Sequence, residues 1–242
     1  MYPHKLSQAL VSLLIIGCLQ SHIIAQRKPN VPGRLAVVVD ERLSALRATP
    51  HLSGKLIRRV GRGRFVAVSG LTRTNDGVVF YRVGLSSRTY GWMQREAVVS
   101  ARQPNDDGRL VSLILSSSDF DRIVRARIFL DLFPRSSLRP QVLLLLGDAA
   151  EEAAAKLTRD VGRRLTLPKE TSAPEFSYYL NYTGLDRYNR QGIRFVFDST
   201  TRQFHYDGAA WRELIRRYPA SDKAALGRQR LLQFSTFPQN NN

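Results

Sequence analysis

From residue 34 to residue 100, apolar residues come in short runs broken by glycine and polar clusters. Leu35 to Val39 reads as a first strand. Leu46-Arg47 leads through Pro50 and Ser53-Gly54 into a turn, where proline fixes φ and glycine permits a tight return. Leu56 to Val60 and Phe65 to Val68 predict two further strands, with Gly61 and Gly63 between them. Asn75-Asp76-Gly77 is a hairpin signal, and Val78 to Leu85 is the clearest strand. Side chains alternate across a strand, so Val79, Tyr81, Val83 and Leu85 are expected inside, with Phe80 and Arg82 outside. By the same parity Tyr90 and Trp92 share a face opposite Gly91 and Met93.

Gln103 to Gly108 reads as a linker, and the period then changes. Leu110, Leu113 and Ile114 suit a short amphipathic helix. Ser118 with Asp121 offers a capping arrangement for the next helix. Its apolar face is Phe120, Ile123, Val124, Ile128, Leu132 and Phe133, and Pro134 ends it. A longer helix is expected from Arg139-Pro140 to about Leu165. Ala149 to Ala155 suits a close helical neighbour, and Gly147 and Gly162 are points where the helix could bend. Leu167 to Phe176 reads as a connector, followed by Tyr178-Tyr179-Leu180-Asn181-Tyr182. Ile193, Phe195 and Phe197 alternate, Asp198 to Thr201 turns, and Phe204 and Tyr206 alternate back, which predicts a β-hairpin. Asp207 would cap the following helix. Trp211, Leu214, Ile215 and Tyr218 form its apolar face, and Ser221 opens a last helix through Leu231 and Leu232. The tyrosines with Asp186, Arg187 and Arg190 either line a polar groove or pack the hairpin onto helices.

Five pieces stand in order: Leu46-Arg47-Ala48-Thr49-Pro50, Lys55-Leu56-Ile57, Gly63-Arg64-Phe65-Val66, Tyr81-Arg82-Val83 and Gly91-Trp92-Met93. Their order and spacing resemble a bacterial SH3 domain, a small barrel common in exported proteins. The resemblance implies a closed or nearly closed strand roll that binds peptidoglycan peptides or other protein segments. Phe133-Pro134-Arg135-Ser136 and Tyr218-Pro219-Ala220-Ser221 each place an aromatic, a proline, any residue and a serine between helical stretches. They resemble the corners of tetratricopeptide-like hairpins, including those of envelope assembly lipoproteins. One such hairpin cannot bury its apolar face alone, so stacking must supply the core. The expected fold is therefore two-domain, all-β plus mainly α. A small SH3-like β-barrel over 34–100 precedes a tetratricopeptide-like helical bundle over 101–236, with an inserted β-hairpin near 193–206. A signal segment over 1–25, a linker over 26–33 and a disordered tail over 237–242 complete the division.

The start changes the expected location. Lys5 precedes an apolar run from Ala9 to Leu19, which is too short for a bilayer span of roughly 20 residues and suits a secretory signal. Ile15-Ile16-Gly17-Cys18 resembles a bacterial lipobox, which implies acylation of Cys18 and membrane anchoring; cleavage after Ala25 is the alternative. The protein is expected in the periplasm or as a membrane-anchored lipoprotein of a bacterial envelope. Cys18 is the single cysteine of the 242 residues, so the mature domains hold no disulfide. Beyond the signal segment only His51 and His205 remain as histidines, too few for a zinc set, and no metal or cofactor is expected.

The net charge of +17, steepest within 34–100, favours anionic partners. Arg58, Arg59, Arg62 and Arg64 around the glycine turn are candidate anion-binding residues. Phe80, Arg82, Tyr90 and Trp92 are candidate ligand-binding residues; the alternative for Trp92 is packing against a neighbouring loop or the second domain. No catalytic set is apparent. There is no Gly-x-Ser-x-Gly elbow for a serine with His205 as base, and Glu151 and Glu152 are adjacent and diverge on a helix. The expected function is non-enzymatic envelope binding, with an envelope protein or peptidoglycan fragment as partner. The alternatives are a component of a cell-wall hydrolase, or nucleic-acid or anionic-polymer binding through the basic barrel; the secretion signal argues against nucleic acid. In a bacterial host, Cys18→Ala is expected to abolish palmitate labelling. Equal labelling of the variant would remove the lipobox reading.

Overall fold

A computed structural model describes residues 28–164, 184–198 and 201–235. The signal segment with Cys18, the first two linker residues, the stretch from Leu165 through the Leu167–Phe176 connector and Tyr178–Tyr182, and the 237–242 tail lie outside the described residues.

The first part is β1 (Arg34–Val38), β2 (Ala45–Arg47), β3 (Leu56–Arg59), β4 (Phe65–Arg73), β5 (Val79–Ser86), β6 (Thr89–Gln94), a 3₁₀ turn (Arg95–Ala97) and β7 (Val98–Val99). They form one antiparallel sheet in the order β3-β2-β6-β5-β4-β1-β7. The expected closure is not present: β3 and β7 are separate edges. One reason lies at β7, where the Arg109 guanidinium donates to the carbonyls of Val98 and Glu96, giving side-chain partners to a segment that would otherwise seek a strand. β4 runs on to Arg73, past its expected end at Val68. A register shift between Val68 and Gly70 absorbs an extra residue there, and the strand continues beyond the bulge.

Alternation sorts the side chains of β1 between two cores. Ala36 and Val38 join Val66, Val83, Met93 and Val98 inside the sheet. Val37 and Val39 turn the other way and join Val99 in the helical core. A strand buried on both faces is apolar throughout, which is why this run carries no polar alternation. Phe80 departs from the expected outward position; it is 1% exposed, so β5 is buried on both faces at that point.

No free linker separates sheet from helices. The Ser100 amide donates to Asp106 Oδ2 at 2.8 Å, its hydroxyl donates to the Leu35 carbonyl at 2.7 Å, and Arg34 reaches Gln103 Oε1 at 2.7 Å. Asp106, buried, opens α1 (Asp106–Leu115). In α2 (Asp119–Leu132) the expected pairing of Ser118 with Asp121 does not form: Ser118 occupies the N-cap position without a side-chain bond. Asp121 instead takes Arg62 of the glycine turn in a two-bond pair at 2.6 and 3.1 Å. The same helix carries Arg125, buried, whose Nε donates to the Val39 carbonyl at 3.1 Å and whose Nη1 donates to Ser117 Oγ. Asp40 lies 3.9 Å from Arg125 and accepts two further side-chain bonds from Arg42.

The remaining elements are α3 (Arg139–Arg164), α4 (Leu185–Asn189), β8 (Phe195–Asp198), β9 (Gln203–Tyr206), α5 (Ala209–Arg217) and α6 (Asp222–Ser235). The hairpin β8–β9 forms as expected. Its second strand, β9, is held by α3: Thr158 Oγ1 accepts the Phe204 amide at 2.8 Å, and Glu151 accepts the Tyr206 amide at 2.7 Å. Asp207 Oδ1 accepts the Ala209 amide, but the N-cap position of α5 is taken by Gly208, at φ +79° and without a side-chain bond, so Asp207 is not the cap expected of it. Gly147 lies within α3 and against a ring. A Cβ there would lie 2.2 Å from Trp211 Nε1, so its bare backbone is the seat of the fully buried Trp211 ring. No helix of the described residues is long and apolar enough to cross a membrane.

Gly147→Ala is expected to destabilise the chain by about 1–3 kcal/mol through overpacking, although alanine is the better helix former by about 1 kcal/mol. Urea unfolding measures the difference, and unchanged stability would disprove the seat. The carboxyls of Asp40 and Asp121 are both held below the usual range, by hydrogen bonds from Arg42 and Arg62 respectively. Their folded forms therefore take up protons at lower pH than the unfolded chain does. Stability is complete above the ordinary aspartate value of about 4 and drains away as pH falls through it and below. Unfolding measured against pH should show that slope, reduced in Asp40→Asn with Asp121→Asn.

Candidate functional site on the sheet face

Ladder register places the site. Trp92 on β6 lies directly opposite Arg82 on β5 and directly opposite Arg47 on β2. Directly opposed residues share a face, with Cβ atoms about 5 Å apart. Leu56 of β3 stands opposite Arg47 and extends the row to the sheet edge. Met93 and Val83 point the other way into the core, and this anchors the parity of the exposed row.

Tyr90, two residues from Trp92, stands opposite Gly84. A Cβ at Gly84 would lie 3.0 Å both from the Tyr90 ring and from Val31 Cγ2. The absence of a side chain therefore lets the ring lie against the strand, with Val31 beside it. Tyr90 is 40% exposed, Trp92 is half-buried and Arg82 is exposed. Arg47 is pinned by a 2.8 Å bond from its guanidinium to the Gly54 carbonyl, in the turn that Pro50 and Gly54 build. The Arg82 side chain makes no hydrogen bond or ion pair among the described residues. The surface therefore offers a free planar guanidinium beside two aromatic faces. A guanidinium can take a carboxylate or phosphate through two parallel bonds, and aromatic faces accept apolar or cationic groups.

Of the four residues expected to take ligand, Arg82, Tyr90 and Trp92 come together on this face. Phe80 shares their register but is buried, so it cannot meet a ligand directly. Arg47 was not anticipated. The signal lay in Leu46: a core residue at that position turns its neighbour outward, onto the Trp92 side.

The arginines around the glycine turn do not converge on one site. Arg58 and Arg59 are exposed on β3, and Arg64 is exposed beyond the turn. Arg62 is withdrawn: its side chain is 12% exposed and paired to Asp121, and its amide donates to Glu41 at 2.8 Å. The turn itself is held by the Gly63 amide on the Val38 carbonyl, with Gly63 at φ +81°.

Farther along the chain, His205 Nδ1 sits 3.0 Å from Glu151, which also holds the Tyr206 amide. That pair ties the hairpin to α3. Arg187 stacks over Phe120 and Tyr188 at 4.8 Å from each ring centre, and Arg190 pairs with Asp186 within one turn. These residues pack the hairpin segment onto α2, and the expected groove tyrosines Tyr178, Tyr179 and Tyr182 lie outside the described residues. Among the described residues, no three His, Cys, Asp or Glu side chains gather as a metal set. No protein-family model, no curated protein and no solved structure matches the chain.

Proposed function

We propose that the chain is an exported, non-enzymatic binding and scaffold protein of a bacterial envelope. The sheet takes a peptidoglycan fragment on the Arg82, Trp92 and Tyr90 face, and the helices dock a protein of the same compartment. The observation that carries this reading is the row Arg47, Trp92, Arg82. The half-exposed Trp92 stands in register between two arginines on three neighbouring strands, one of them uncommitted. Wall peptides carry carboxylates and apolar side chains, and this surface offers a partner for each.

The finer fold readings belong to the same proposal. The 3₁₀ turn leads into β7, which pairs back onto β1 and brings the ends of the 34–100 region together; this supports an SH3-like unit. The tetratricopeptide-like reading rests on the two aromatic-proline corners. At each corner the aromatic amide bonds back four residues, to Phe129 in one and Leu214 in the other, both at 2.9 Å. The serine amide then bonds to the aromatic carbonyl, at 3.3 Å from Ser136 and 3.0 Å from Ser221. The serine hydroxyl accepts the amide two residues on, at 3.2 Å in both. The same bonds at the same offsets support the reading of a repeated helical hairpin.

The test is retention of the full chain on purified peptidoglycan over a salt series. Trp92→Ala and Arg82→Ala are each expected to lose about tenfold or more, the effect of removing an interface anchor worth about 2 kcal/mol, with the unfolding midpoint unchanged. Retention that disappears in moderate salt, or that both variants keep in full, would refute a specific groove.

A further inference from the structure

The two edges of the sheet are treated differently. β7 is two residues long, and Arg109 covers its Val98 carbonyl. β3 pairs only with β2 on one side, and all four of its residues are exposed. Leu56 and Ile57 are 47% and 44% exposed there, with Leu52 nearby in sequence at 45%. The Val60 amide donates to the Ser44 carbonyl across the ladder. Antiparallel bonding alternates, so the Arg59 amide and carbonyl face away from β2. An edge with outward backbone groups and apolar side chains is a template for an added strand.

We infer that β3 is a docking edge for an extended acidic segment of a partner protein, which pairs with it as an eighth strand. Arg58 and Arg59 fall on opposite faces of the edge, and neither guanidinium makes a bond or ion pair among the described residues. An incoming strand with carboxylates on both faces meets one arginine on each. Its apolar side chains cover Leu56 and Ile57.

A second copy of the chain is the natural competitor, and charge opposes it. Antiparallel self-pairing centred on Arg58 sets Arg58 against Arg58. Centring on Ile57 sets Lys55 against Arg59. Like charges directly opposed across a ladder are destabilising, and the net charge of +17 adds to the repulsion. The edge therefore selects a strand of opposite charge over its own copy. This edge meets the Arg82 and Trp92 face only at Leu56; Arg58, Arg59 and the outward backbone groups lie off that row, so the outcome does not depend on wall binding.

The probe is a short synthetic peptide repeating valine-valine-glutamate-glutamate, which sets carboxylates on both faces of a strand, titrated into the full chain at physiological salt, together with the same peptide N-methylated at every second residue. Binding should protect the Arg59 amide from hydrogen exchange. N-methylation and the double substitution Arg58→Glu with Arg59→Glu should each weaken binding by about tenfold or more, while Trp92→Ala leaves it unchanged. Equal affinity for the N-methylated peptide would reduce the effect to bulk charge and overturn the proposal. Absence of binding, loss of binding in Trp92→Ala, or a chain that dimerises through β3 would overturn it as well.

Discussion

A buried guanidinium must have all its demands met or it will unfold what surrounds it, and Arg125 is placed where that demand joins the two halves of the molecule. It projects from α2, yet it bonds a carbonyl of the segment leaving β1 and the hydroxyl that precedes its own helix. Asp40 stands close enough to balance its charge. Removing one partner of such a buried set costs about 3–5 kcal/mol, because the other is left uncompensated. Sheet and helices thus share one electrostatic anchor. Around it, Val37, Val39 and Val99 continue the helical core into the sheet, and Arg62 with Asp121 adds a partly screened outer tie. The withdrawal of Arg62 from the surface arginines follows from that requirement.

The helical part rests on a second arginine that plays a comparable role. Arg139, buried at the first corner, donates to the Leu130 carbonyl at 2.6 Å and to the Tyr218 hydroxyl at 3.1 Å, and lies 3.8 Å from Glu213. It satisfies backbone left open at the end of α2 while fixing the aromatic of the second corner. The hairpins are consequently locked corner to corner, with Trp211 pressed on Gly147 between them. This explains how two helix pairs separated by a β-hairpin act as one core.

Much of this organisation was readable from side-chain periodicity. The strands of 34–100, the helices on either side of Pro134 and Pro219, and the 193–206 hairpin appear where the pattern puts them. The outward parity of Tyr90 and Trp92 also holds, because Met93 is a dependable core residue. What failed did so for tertiary reasons. Phe80 is buried because both faces of β5 are covered at that point, and no local pattern reports this. Arg125 and Arg62 read as surface charges because their partners, Asp40 and Asp121, are distant in sequence. The segment Gln103 to Gly108 has the composition of a linker, but Ser100 and Asp106 convert it into a hydrogen-bonded joint.

That joint has a geometric consequence. With Ser100, Gln103 and Asp106 all bonded, the chain between sheet and helices is a hydrogen-bonded joint rather than a free tether. Reorienting the sheet against the helices would therefore have to break this joint first.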